Sequence, residues 1–186
     1  METYSTVHQI LTKLNQSGSR IVTSQVLANF FPEMSRQGRY EVIQRMLRKN
    51  IIQKVINGIY ELTEKPLSAF EKAQAIEPNS YISLESALNY YGILSQFPHI
   101  ITSVTTGKTK TKESTQTYEY VHIKSDLYTD YQKTNGFLIA TKEKSLADFL
   151  YLVSKGLRSS DISDFDLKEI DKNRLVKYPW CKKYVK

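Results

Sequence analysis

Hydrophobic positions in the first third of the chain switch between helical and extended spacing every ten to fifteen residues. Val7, Ile10, Leu11 and Leu14 fall three and four apart and predict a helix over 6–16, with Ser17-Gly18 as its stop. Arg20-Ile21-Val22 suffices only for an edge strand. Thr23 is a good N-cap for a helix over 24–31, where Val26, Leu27 and Phe30 make one apolar face and Pro32 then breaks it. A third helix is predicted over 35–49. On its wheel Tyr40, Ile43, Met46 and Leu47 cluster on one side, and Gln37, Glu41, Gln44, Arg45, Arg48 and Lys49 share the opposite arc. Asn57-Gly58 follows inside the run 54–61. This pair is a strong hairpin signal because a type I′ turn needs positive φ at both central residues. With Ile56 opposite Ile59, such a turn sets Val55/Tyr60 and Gln53/Leu62 on the core face and turns Lys54 and Glu61 away.

Three helices and a hairpin in this order predict a winged helix-turn-helix, and the outer arc of the third helix suits duplex DNA. Arg reads guanine and Gln reads adenine through paired hydrogen bonds in the major groove. Gln37, Gln44 and Arg45 are therefore the expected base contacts. Arg36, Arg39, Arg48, Lys54 and Asn57 are expected to anchor phosphates or reach the minor groove from the wing.

The remaining pattern predicts a small α+β domain. A linker helix is expected within 66–78. Tyr81-Ile82 reads as a short strand, Ser83 as an N-cap, and Leu84, Ala87, Leu88 and Tyr91 as the buried face of a helix that Gly92 ends. Three β-rich runs follow at 100–106, 118–123 and 137–141. Thr141 then caps a helix with Leu146, Phe149, Leu150 and Val153 facing inward. One more helix around Leu167, Ile170, Arg174 and Leu175 precedes Tyr178-Pro179-Trp180. The expected fold class is thus α+β: a winged helix-turn-helix over 1–65, the linker helix, an α+β domain over 79–156, and a short helical tail over 157–186.

Four ordered blocks of this second region carry a resemblance: 81–93 (YISLESALNYYGI), 101–106 (ITSVTT), 120–123 (YVHI) and 135–148 (NGFLIATKEKSLAD). They resemble the AbiEi family of antitoxins and transcriptional regulators, and the winged helix in front is similar to the family's amino-terminal domain. The resemblance implies a type IV toxin–antitoxin operon whose antitoxin represses its own promoter at inverted repeats. It also implies a functional counterpart, a nucleotidyltransferase-like toxin, opposed without a stable complex. Longer family members carry a helical carboxy-terminal region tied to antitoxin activity, where this chain has one expected helix.

Charge adds to the picture. The net charge is +7, with 9 basic against 5 acidic residues over 1–65, 9 against 9 over 66–156, and 8 against 5 over 157–186. A basic first domain attracts phosphate through counterion release, and the neutral middle has another purpose. No apolar run approaches the roughly 20 residues a bilayer requires, and one cysteine, Cys181, excludes an intrachain disulfide, so the cytoplasm is the expected compartment.

Other chemistry is weakly signalled. Thr106-Gly107-Lys108-Thr109 lacks the first glycine of a phosphate loop, and Lys108, Lys110 and Lys112 read as a solvated hairpin tip that can touch a phosphate backbone. His8, His99 and His122 have no ligand spacing, so neither metal nor cofactor is expected. Glu143, Lys144 and Asp148 share one helix, where capping and salt bridging explain them better than nuclease chemistry. The chain is not expected to be an enzyme. The alternatives are an orphan DNA-binding regulator or a protein-interaction module without antitoxin activity.

Overall fold

A computed structural model describes residues 2–159 and 161–184. The described residues form seven α-helices and nine strands in two sheets, a mixed α+β chain that divides into two compact units, 1–68 and 69–186. Met1, Ser160, Val185 and Lys186, which the expected domain ranges include, lie outside the described residues.

In the first unit α1 (Glu2–Ser17), β1 (Ile21–Val22), α2 (Ser24–Phe30) and α3 (Arg36–Arg48) precede β2 (Ile52–Ile56) and β3 (Ile59–Leu62). The sheet order is β1-β3-β2, antiparallel throughout. Val7, Ile10 and Leu14 of α1, Leu27 of α2 and Val42, Ile43 and Met46 of α3 close on Val22, Ile52 and Leu62 to form the core. The N-caps of α2 and α3 work by side chain: Thr23 Oγ1 accepts from the Val26 N–H, and Ser35 Oγ accepts from the Gly38 N–H.

The hairpin differs from the expected one. Gly58 has φ +84, but Asn57 is not in the left-handed region, so the turn is not type I′. Ile56 does face Ile59, after which the register shifts so that Lys54 faces Tyr60, Gln53 faces Glu61 and Ile52 faces Leu62. This is the geometry of a three-residue loop whose glycine makes a bulge, and the extra residue slides β2 by one position against β3, so that Ile52 and not Gln53 joins Leu62 in the core. Glu61, on the face away from Leu62, is nevertheless buried. Its carboxylate accepts hydrogen bonds from Gln53 Nε2 at 2.8 Å and the Leu67 N–H at 2.6 Å.

The second unit is a six-stranded mixed sheet in the order β6-β7-β5-β4-β9-β8. Its strands are β4 (Ser80–Ile82), β5 (Ile100–Thr105), β6 (Lys110–Glu113), β7 (Thr117–His122), β8 (Tyr131–Thr134) and β9 (Phe137–Ala140). The segment 66–78, read as a linker, instead contributes α4 (Ala69–Ile76) to this unit. Ala73 is fully buried with Tyr118, Tyr120, Phe137 and Ile139, and the Tyr120 hydroxyl donates to the Ala73 carbonyl. The sheet's other side packs on α6 (Lys142–Ser154). Between them α5 (Leu84–Tyr90) gives Ala87 to one core and Leu84 and Leu88 to the other.

Two strands escaped the sequence pattern because both are polar sheet edges, β6 reading Lys-Thr-Lys-Glu and β8 reading Tyr-Gln-Lys-Thr. The β8–β9 connection, Asn135-Gly136, is where the type I′ rule is met, with φ +43 and +89 and Thr134 facing Phe137. The region expected as a tail is also integral. Its helix α7 (Lys172–Leu175) is only four residues long, yet Ile170, Leu175, Tyr178 and Cys181 are buried in the α6 core. Trp180 Nε1 donates to the Ala147 carbonyl, and the Tyr178 hydroxyl donates to Asp130.

Two outcomes follow from these turns and contacts. Gly136→Ala places a Cβ 2.7 Å from Glu71 Oε1, whereas at Gly58 a Cβ meets nothing within 4 Å. Both substitutions carry the left-handed penalty of about 1–2 kcal/mol, and Gly136→Ala is expected to lose more in urea denaturation. Equal losses would contradict this packing. The Asp130 carboxylate is opposed by burial, but hydrogen bonds from Lys177, Tyr178 and Thr129 outweigh it and hold its pKa below the usual carboxylate value. That stabilisation is complete above the unfolded pKa of about 4 and is lost as pH falls through the native value. Asp130→Asn is expected to flatten the fall of the urea midpoint below about pH 4. A wild-type acid profile in the variant would dismiss the carboxylate's role.

Candidate nucleic-acid interface

One face of α3 is used up in the core, and this fixes what the other face shows. Val42, Ile43 and Met46 are buried, so the outward stripe is Gln37, Tyr40, Glu41, Gln44 and Arg48, spaced three, four, seven and eleven residues from Gln37. Arg36, Gln37, Tyr40, Glu41 and Arg48 are exposed; Gln44 and Arg45 are half-buried. Tyr40 was grouped with the apolar side because a wheel scores its ring as hydrophobic. It is 59% exposed, and Val42 takes its place in the core.

The end of α3 determines where the hairpin starts. Lys49 caps the helix and Asn50 takes φ +53. The Asn50 N–H then bonds the Leu47 carbonyl and the Ile51 N–H bonds the Met46 carbonyl, which together make a Schellman turn. The chain passes from this turn straight into β2. Lys54 and Asn57, the expected wing contacts, are both exposed on the hairpin.

Two expected contacts are engaged within the unit. Arg39 is half-buried, with Nε donating to Ser24 Oγ at 3.1 Å and a second guanidinium nitrogen donating to the Met34 carbonyl. It therefore braces the start of α2 against α3 and the loop between them. Gln37 donates its amide to Glu41 at 3.0 Å, one turn along the helix. Glu41 is the anion of the stripe and Arg48 the cation, so the charge of the stripe itself balances.

The second unit holds the other ionisable clusters. Tyr81, Ser83, Lys144 and Asp148 are all buried, and Asp148 accepts from the Tyr81 hydroxyl at 2.9 Å, from Ser83 Oγ at 2.8 Å and from Lys144 Nζ. Burial pushes the Asp148 carboxyl up, against the pull of Lys144 and the two hydroxyls. Burial and the Asp148 charge hold the Tyr81 phenol well above its usual value and push the Cys181 thiol up to about 12. A group of this kind, closed to solvent, braces β4 against α6. Ser83 stands at the N-cap of α5 as expected, but spends its hydroxyl on Asp148 and makes no side-chain cap bond. A cavity of about 510 Å³ lies beside Glu85, Glu119 and Arg158, where the guanidinium bridges both carboxylates at 2.8 and 2.5 Å.

Lys110 is paired with Glu77 and lies over the Tyr120 ring, while Lys108 and Lys112 are exposed. The Thr106–Thr109 loop runs into β6 and opens no helix, unlike a phosphate loop. His122 sits at the end of β7 with Nδ1 2.9 Å from the Gly107 carbonyl oxygen. No group of three or more His, Cys, Asp or Glu side chains placed to hold a metal ion occurs among the described residues. No helix among them is long and apolar enough to cross a membrane. Comparison of the chain with protein-family models and with the curated proteins finds no match.

The buried brace makes a stability prediction. Asp148→Ala strands a buried ammonium and is expected to cost about 3–5 kcal/mol, whereas Asp148→Leu with Lys144→Met recovers most of that loss. Urea titration of the three proteins measures it, and a single variant as stable as wild type would show that the pair is not a brace.

Proposed function

We propose that the chain is a DNA-binding transcriptional repressor, its first unit a winged helix-turn-helix with α3 as the recognition helix and β2–β3 as the wing. The observation that carries this reading is the outward stripe of α3, polar and uncommitted to the core, followed through one fixed turn by an exposed hairpin. The order helix, strand, helix, helix, hairpin and the sheet order β1-β3-β2 support it. So does the surplus of basic residues in the same segment.

In this reading Gln37, Gln44 and Arg45 face bases. Arg36, Arg48, Lys54 and Asn57 meet the backbone or the minor groove. Arg39 serves indirectly, by holding α3 against α2.

The resemblance to the AbiEi family narrows the proposal to the antitoxin of a type IV toxin–antitoxin operon. Its four blocks fall on β4 with α5, on β5, on β7, and on β9 with α6, which are packed elements of one unit. The antitoxin binds inverted repeats at its own promoter in the cytoplasm, needs no cofactor and catalyses no reaction. A nucleotidyltransferase-like toxin is its functional counterpart, without a stable complex. Two copies on an inverted repeat follow from operator symmetry.

The test is fluorescence anisotropy with the duplex immediately upstream of the gene and with duplexes selected from a random library, in a salt series. Salt-dependent affinity is expected. Lys54→Ala should flatten the slope of log K against log salt by about one unit, and Gln44→Ala should cost about 1–3 kcal/mol at one base pair. Failure to bind either kind of duplex removes the proposal.

A further inference from the structure

One exposed side chain of the outward stripe of α3 is aromatic and uncharged. Tyr40 is 59% exposed and stands three residues after Gln37 and four before Gln44, about 120° round the helix from Met46. Its neighbours are unsuited to a purely electrostatic grip on phosphate. Glu41 puts a carboxylate beside the ring, where a phosphate would be repelled, and Gln37 is already bonded to it. On the floor of a major groove the same groups have partners. A carboxylate accepts from the cytosine amino group, and an apolar surface meets the thymine 5-methyl. Arg36 and Arg48 flank the stripe at its two ends, where phosphates would lie.

We infer that Tyr40 is a specificity-determining residue of α3 that reads thymine by packing its ring on the 5-methyl group. This inference rests on the DNA-binding reading and adds the base that the protein discriminates. It assigns the ring, and not the phenolic hydroxyl, to recognition. Tyr40→Phe therefore keeps the discrimination and Tyr40→Ala loses it. Because Tyr40 is not one of the buried residues of the first unit's core, neither substitution is expected to lower stability enough to confuse the result.

The experiment uses the full chain and the tightest duplex recovered from a random library by the wild-type protein. That duplex is prepared with thymine and, one position at a time, with deoxyuridine, which lacks only the methyl group. At one thymine in each half-site, loss of the methyl is expected to weaken wild type and Tyr40→Phe about 4-fold, the value of one buried methyl-sized group. Tyr40→Ala should bind both duplexes equally, with an unchanged thermal midpoint. Indifference of the wild type to every deoxyuridine, or an undiminished methyl preference in Tyr40→Ala, overturns the inference while leaving DNA binding intact. Uniform weakening by Tyr40→Phe on all duplexes also overturns it, since that pattern belongs to a hydroxyl on phosphate. If no duplex is recovered at all, the DNA-binding reading fails first and this inference falls with it.

Discussion

The burial of Val42, Ile43 and Met46 against α1, α2 and the hairpin is the constraint on which the first unit depends, because it sets the rotation of α3 about its axis. Successive side chains on a helix are about 100° apart, so moving the buried set by one residue would present a different set of groups outward. Two further contacts hold the rotation. Arg39 ties the start of α3 to Ser24 and Met34, and the Schellman turn at Asn50 ties its end to the first strand of the hairpin. With both ends fixed, Gln37, Tyr40, Glu41, Gln44 and Arg48 have a single direction in which to point.

Much of this was legible in the sequence, and the failures have physical causes. Helix positions came from apolar spacing and from caps such as Thr23, whose side chain can bond an orphan N–H of the first turn. Tyr40 was misplaced because periodicity counts a phenol as apolar, although its hydroxyl lets it stand in water. The bracing bonds of Arg39 were not legible, because a guanidinium that bonds a carbonyl across a loop has no local pattern in the chain. The hairpin was located correctly but its cross-strand pairing was off by one residue, with Ile52 and not Gln53 opposite Leu62. Asn-Gly permits either a two-residue turn or a glycine bulge, and the choice depends on which strand residues the core requires.

The second unit shows the same limits on a larger scale. Its buried strands were visible as runs of β-branched and aromatic residues, but β6 and β8 were not, since a sheet edge is protected by polarity. Asp148 and Lys144 were read as a salt-bridging pair on one helix, and their spacing suits either a surface or a core. The hydroxyls of Tyr81 and Ser83, more than sixty residues away in sequence, join Lys144 in making burial tolerable for Asp148. The tail was expected to hold one short helix around Leu167, Ile170, Arg174 and Leu175. Its contribution comes instead from separate anchors, Ile170, Leu175, Tyr178 and Cys181, each filling a place in the α6 core.

The central claim is that α3 and the hairpin together form the surface that meets duplex DNA. Amide chemical shifts of the isotopically labelled full chain, followed by NMR through a titration with a bound duplex, test it most directly. The account predicts that the largest changes map to 36–48 and to the hairpin around Asn57, with the buried Tyr81, Lys144 and Asp148 amides unmoved. Large shifts confined to the second unit, with α3 silent throughout, would contradict it.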